Sequence, residues 1–326
     1  MINRGGGNVG LHLSQGHLLE WYSEKKRDLP WRNTKDSWKI LLSEILLQQT
    51  QVSRGIEYWI KLVERFPTPQ AMADAEVDEV LHLWQGAGYY SRARRLHALA
   101  CQVCLPTEQG GYDGILPTSS AELLGLPGVG PYTAAAVASI AHGEPVACVD
   151  GNIRRVMARQ NKSLNPSVKE VESWATSTLL TNDAGNWNQA LMELGATVCT
   201  PKRPKCDQCP VSKTCSGQSD AVSFPQPKKV KRKRLDLMCE LRYDSTGLPH
   251  LVKRGNNGIL AGLWGPRMEE EIDVDALSFI GEIKHVLSHR DIFVQVWLGS
   301  CEKGIDPSTV ALSSLDQKIL ALGGRQ

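Results

Sequence analysis

Leu126-Pro127-Gly128-Val129-Gly130-Pro131-Tyr132-Thr133 lies between two helical patterns, Ala121 to Leu124 and Thr133 to Ala141, and reads as helix, tight glycine turn, helix. Gly128 and Gly130 permit positive φ and let a ligand approach bare backbone. Pro131 suits the first position of the second helix, where its missing N–H costs nothing. The amides left unpaired at that helix start form a site for an anion such as a phosphate. Taken alone, the same string also fits a plain turn between helices.

Outward from this hairpin the helical texture continues from Gly16 to about Cys215. Apolar residues recur at spacings of three and four in Leu18, Leu19 and Tyr22, in Trp38, Leu41, Leu42 and Ile45, and in Val77, Val80, Leu81 and Trp84. Pro and Gly punctuate these segments, so many short helices are expected. Residues 1–10, with three successive glycines, read as a mobile tail and residues 11–217 as one helical domain. Residues 218–234 read as a Pro-containing basic linker, because six of the seven residues from Lys228 to Arg234 are basic. Incidental contact with phosphates or a nuclear address also fits that charge. Beyond it, Ile292, Val294, Val296 and Leu298 alternate with Phe293, Gln295 and Trp297 as a half-buried strand does, so residues 235–326 are expected to be a smaller α+β domain.

Cys199, Cys206, Cys209 and Cys215 are spaced C-x6-C-x2-C-x5-C. No leader suggests export, so disulfides are not expected. Structural zinc sites mostly use paired C-x2-C knuckles or Cys/His mixtures, whereas here one C-x2-C is flanked by single cysteines without a histidine between. Four thiolates in an asymmetric run suit a [4Fe–4S] cubane, with zinc the alternative. Cys101 and Cys104 make no complete metal set and read as helix packing.

At 326 residues and 41% hydrophobic content the chain can bury a sizeable core in about two domains. No apolar run is long enough to span a bilayer, and a soluble, cytoplasmic, monomeric protein is expected. The net charge of +2 does not by itself announce a nucleic-acid binder.

Several further strings stand in one order with the hairpin and the cysteines: Pro30-Trp31-Arg32, Ser43-Glu44-Ile45-Leu46-Leu47-Gln48-Gln49-Thr50-Gln51-Val52, Gly88-Tyr89-Tyr90-Ser91-Arg92-Ala93, Val149-Asp150-Gly151-Asn152 and Glu193-Leu194-Gly195. Together they resemble the helix-hairpin-helix DNA glycosylases, and within these the adenine glycosylases of the MutY family. The resemblance implies a mostly α-helical helix-hairpin-helix glycosylase domain with an iron–sulfur cluster loop, followed by a smaller Nudix-like domain. It implies a cluster that positions a basic loop, which Lys202, Arg203 and Lys205 fit. The implied partner is double-stranded DNA holding adenine opposite 8-oxoguanine or guanine, and the implied location is the bacterial cytoplasm in association with the nucleoid. A sliding clamp or a mismatch-repair protein as partner is left open.

Bifunctional relatives such as endonuclease III carry a hairpin lysine whose amine attacks the sugar; here the position is Tyr132, which cannot form an imine, so a monofunctional hydrolase is expected. Glu44 sits among Ile40, Leu41, Ile45 and Leu46, where burial should raise its pKa and hold a proton for adenine N7. Asp150 precedes a helix and is expected to stay ionised at its positive end, stabilising an oxocarbenium-like sugar. Asn152 and Tyr132 are expected to support them. Without the resemblance, Asp150 reads as a plain N-cap and Glu44 as part of a solvated stripe.

By the same resemblance Trp31 and Arg32 border the adenine pocket, Glu193 contributes to recognition, and Gln48 with Tyr89 fills the gap left in the duplex. Tyr90 reads as part of that stacking wedge or as core, with Arg92, Arg94 and Arg95 as phosphate ligands beside it. Gly258 to Trp264 and Leu287-Ser288-His289 resemble the strand turn and recognition loop of a domain that reads 8-oxoguanine, so Ser288 and His289 are expected to hydrogen-bond the oxidised base. The chain departs from the family at Ala87, commonly a bulkier aliphatic residue, and at Leu287, commonly phenylalanine. Glu269, Glu270 and Glu271 lie outside the Nudix pyrophosphatase frame, so no second activity is expected. A thymine glycosylase for G:T mismatches, and a non-catalytic iron–sulfur DNA-binding protein, are the competing readings.

Overall fold

The computed structural model describes residues 9–227 and 231–324. Its first helix, α1 (Val9–Lys25), begins inside the stretch expected to be a tail, whose residues 1–8 lie outside the described residues. Helix α2 (Ser37–Leu46) starts at Asp36, whose carboxylate accepts from the amides of Trp38 and Lys39 and so satisfies donors the helix cannot. Helices α3 (Val52–Arg65) and α6 (Ser91–Cys104) pack on it, with α4 (Pro69–Ala73) and α5 (Val77–Leu83) seated against α6.

The hairpin follows: α7 (Ser120–Leu123), the glycine turn, then α8 (Pro131–His142) with Pro131 in its first turn. Helix α8 is the axis of this domain. Every residue from Thr133 to Ile140 is buried, and its run of alanines lets α2 and α11 (Ala184–Thr197) pack against it. Between them come α9 (Gly151–Gln160), capped by Asp150, and α10 (Val168–Ser177), held by a Ser167/Glu170 capping box. Helices α9 and α11 approach so closely that a side chain at Gly195 would stand 2.5 Å from Asn152 Cβ.

After the cysteine loop, a short helical turn (Gln218–Ser223) and the buried Phe224 lie against the helical domain, and the Gln226 amide donates to Leu164 O at 2.8 Å. Much of the expected linker is therefore docked. Residues 228–230 of the basic run lie outside the described residues, and Lys233 and Arg234 already belong to a strand.

That strand, β1 (Lys233–Tyr243), opens the second domain. With β2 (Val252–Lys253), β3 (Trp264–Gly265), β4 (Arg267–Glu269), β5 (Ser278–Val286) and β6 (Arg290–Ser300) it builds a four-stranded sheet of order β4-β1-β6-β5 beside a β2-β3 pair. Strands β1 and β6 run parallel, the other sheet pairs antiparallel. The alternation read in β6 puts Ile292, Val294 and Val296 inward, where with Cys239 and Leu241 they meet Leu315 and Ile319 of α12 (Ser314–Gly323). A helical glycosylase-type domain followed by a smaller sheet-containing one is the architecture expected. No helix among the described residues is long and apolar enough to cross a membrane.

Candidate active site

A cavity of about 520 Å³ opens where α2, α8, α9 and α11 meet, and it gathers Trp31, Arg32, Glu44, Gln48, Tyr132, Asp150, Asn152 and Glu193 from five separate stretches of chain. Glu44 is carried on the buried face of α2, and Tyr132 on the first turn of α8 donates its hydroxyl to Glu44 Oε2 at 2.6 Å. Burial pushes the Glu44 carboxyl up to about 7; the Asp150 charge adds to this, while the Tyr132 bond and Arg32 oppose it. A carboxyl so placed exchanges its proton near neutrality and can act as a general acid.

Asp150 is the N-cap of α9, accepting from Ile153 N at 2.7 Å and from Asn152 Nδ2 at 2.6 Å. The helix start alone was expected to keep it ionised. Burial raises its pKa above the ordinary aspartate value, and the bonds from Ile153 and Asn152 with the Arg155 charge counter part of that rise. The carboxylate is thus poorly hydrated and held in one orientation. Arg155, one turn on, donates to Asn152 Oδ1 at 2.8 Å and to Cys199 O at 2.8 Å, tying the cap to the cysteine loop.

Glu193, on α11, is already engaged. Both its oxygens accept from arginines: Arg27 Nε to Oε1 and Arg27 Nη2 to Oε2, each at 2.7 Å, and Arg32 Nη2 to Oε2 at 2.7 Å. Burial would raise its pKa, but these bonds hold it down at about 2. Arg27 was not anticipated, because it precedes the Pro30-Trp31-Arg32 string and finds its partner 166 residues away. Trp31 is buried edge-on to Trp59 at the cavity wall, with ring centroids 6.0 Å apart.

In the hairpin, positive φ occurs at Gly128 (+78°) and not at Gly130, which is extended at φ −99° as the N-cap of α8. A side chain at Gly128 would also stand 2.8 Å from Arg95 Cβ, so this turn and the exposed Arg95 share one surface. The other two arginines differ from expectation. Arg92 is buried beneath the loop after α2, donating to Ile45 O, Leu46 O and Gln48 O at 2.8, 2.8 and 2.5 Å, and Arg94 Nη1 donates to Ala261 O in the second domain. The Arg92 guanidinium is buried against these carbonyls and is not a phosphate ligand, while half-buried Arg94 has one nitrogen committed to the second domain. Tyr90 is likewise buried, while Tyr89 projects at 41% exposure with φ +49°.

Gln48 lies in the main cavity, with Nε2 donating to Thr133 Oγ1 at 3.2 Å. Tyr89 instead lines a second cavity, of about 350 Å³, between the domains. Ser288 and His289 line its opposite wall, on the exposed turn joining β5 to β6, with Ser288 Oγ 3.3 Å from His289 Nδ1.

Cys199, Cys206, Cys209 and Cys215 converge on one cavity closed on its apolar side by Val156, Leu194 and Val198. Among the described residues no set of three or more His, Cys, Asp or Glu is arranged to hold a single metal ion. Four thiols lining one cavity are a donor set that fits a [4Fe–4S] cluster or a tetrahedral zinc alike. Arg159 Nη1 donates to Cys199 Sγ at 3.2 Å, while burial pushes the Cys209 thiol up to about 12.

A helix-hairpin-helix domain with a buried carboxyl and a half-buried one facing a cavity beside the hairpin defines the DNA glycosylase class, and residues 42–177 match the HhH-GPD superfamily of base excision DNA repair proteins. The human adenine DNA glycosylase is 34% identical over 90% of this chain and 68% of its own length. That of Mycolicibacterium smegmatis is 43% identical over 62% of the chain and 69% of its own length. The structure of a thermostable thymine-DNA glycosylase, 30% identical, superposes with a TM-score of 0.59 over 65% of this chain and 98% of its own. The chain belongs to the adenine DNA glycosylase family.

Proposed function

We propose that this protein excises adenine paired with 8-oxoguanine or guanine in duplex DNA, by hydrolysis and without cutting the strand. The observation that carries the reading is the Glu44 carboxyl, poised near pH 7 in a cavity it shares with the N-capping carboxylate of Asp150. A stacked base must leave the duplex to reach that cavity. Glu44 then protonates the departing adenine at N7, Tyr132 holds the carboxyl through its 2.6 Å bond, and Asp150 stabilises the positive charge that grows on the sugar. With a phenol at position 132, no imine forms through this residue and the strand is left intact.

The assignment of Trp31, Arg32 and Glu193 to the adenine, and of Gln48 and Tyr89 to the gap, rests on their placement at the two cavities. Gly128 and Gly130 present backbone to a phosphate. Ser288 and His289, across the interdomain cavity from Tyr89, are assigned to 8-oxoguanine, and residues 235–326 to lesion reading. Cys199, Cys206, Cys209 and Cys215 would hold a [4Fe–4S] cluster, which orders the loop carrying the exposed Lys202, Arg203 and Lys205.

The test is single-turnover incubation of a duplex bearing one A:8-oxoG pair, assayed for breaks before and after hot alkali. Breaks only after alkali are expected. Breaks without alkali would reveal a lyase amine, and thymine release from a G:T duplex with adenine untouched would transfer the chain to the thymine reading. Tight binding with no base release would make it a non-catalytic binder.

A further inference from the structure

The loop that carries Tyr89 is also the loop on which the second domain is seated. Leu312, in the turn before α12, is gripped from both sides of its peptide backbone: its N–H donates to Gln85 Oε1 at 3.0 Å, and its carbonyl accepts from the Tyr90 hydroxyl at 3.0 Å. The same hydroxyl accepts from Gly86 N at 3.0 Å, so one oxygen joins the loop to itself and to the other domain. The far side of the loop is braced as well. Trp84 Nε1 and Arg92 Nη2 both donate to Gly88 O, at 3.0 and 3.1 Å. Across the contact, Trp264 N donates to Ala311 O at 2.9 Å, which makes Leu312 part of the body that begins at Leu260 and lines the interdomain cavity opposite Tyr89.

We propose that Tyr90 and Gln85 are positioning residues that couple the second domain to Tyr89, clasping Leu312 so that contact with the base opposite adenine sets the wedge. This deepens the lesion-reading function proposed above and rests on it. A displacement of the Leu312 segment is passed to Tyr89, because the loop is hydrogen-bonded on both sides and cannot absorb it by itself. Tyr89 stands between Gly88 and the clasped Tyr90, at a φ of +49° that is strained for a residue with a side chain.

Single-turnover rates on A:8-oxoG and A:G duplexes test this in the full chain. Tyr90→Phe and Gln85→Leu are expected to lower the A:8-oxoG to A:G rate ratio about tenfold while leaving the A:G rate within about twofold. Gln85→Glu, which keeps an acceptor for Leu312 N, is expected to restore the ratio. Equal losses on both duplexes would reduce the clasp to a structural contact and overturn the inference, as would a ratio unchanged in both variants. A wild-type protein with no preference between the duplexes would remove the lesion-reading function, and this inference with it.

Discussion

Glu44 shows how one side chain's surroundings set both its chemistry and its cost. Its pKa of about 7 lies above the ordinary 4.5, so the stability contributed by the neutral carboxyl is fully present below about pH 4.5 and is lost as the pH rises to about 7. Glu44→Gln should therefore be the more stable protein at pH 8, by on the order of 1–3 kcal/mol in urea unfolding. The same variant should bind A:G duplex normally while excision falls about 10²- to 10⁴-fold. In the wild type, excision should decline as pH rises through about 7, since the acid loses its proton. Asp150 gives the opposite limb: its raised pKa means that acid pH protonates it earlier than an ordinary aspartate. A rate that climbs steadily from pH 6 to pH 9 would remove Glu44 from the role of acid.

Two elements place these groups, the C-terminus of α2 and the hairpin. Helix α2 ends in carbonyls with no partner inside the helix, and Arg92 Nη1 donates to Ile45 O and Leu46 O at that end and to Gln48 O in the loop after it. Burial lowers its pKa to about 10, which still leaves it charged at neutral pH. Arg92→Leu strands those carbonyls in the interior and should cost about 3 kcal/mol in urea unfolding. Because Gln48 hangs from the same loop, mismatch excision should weaken with it. At the hairpin, Gly128→Ala meets both a positive φ of +78° and the Arg95 side chain. The variant should bind every duplex more weakly, matched or mismatched, and show a shallower dependence of affinity on salt. A defect confined to mismatched DNA would separate the hairpin from phosphate binding.

At the scale of the whole molecule, the cysteine loop and the second domain are separable predictions. The protein should yield iron and acid-labile sulfide in equal amounts; zinc without sulfide would overturn the cluster. Ser288→Ala with His289→Ala should lower turnover of A:8-oxoG and spare A:G, since both side chains lie on an exposed turn remote from Glu44. Much of this organisation is legible in the chain because it is local: the Pro131 helix start, the Asp150 cap, the alternation along β6 and the cysteine spacing each follow from neighbours a few residues apart. The buried carboxyl of Glu44 is legible for the same reason, from the apolar face on which it stands. What the sequence could not assign are contacts made by side chains with more than one partner within reach. Arg92 and Arg94 have the charge of phosphate ligands, and packing turned one onto carbonyls at and just after the end of α2 and the other onto the second domain. Arg27 reaches Glu193, and Leu312 meets Tyr90, across separations of 166 and 222 residues. The sequence by itself determined the helices, the turn and the carboxyls. Only tertiary structure decided which arginines are spent inside the protein, because a buried cation goes to whichever unpaired acceptors the packing brings to it.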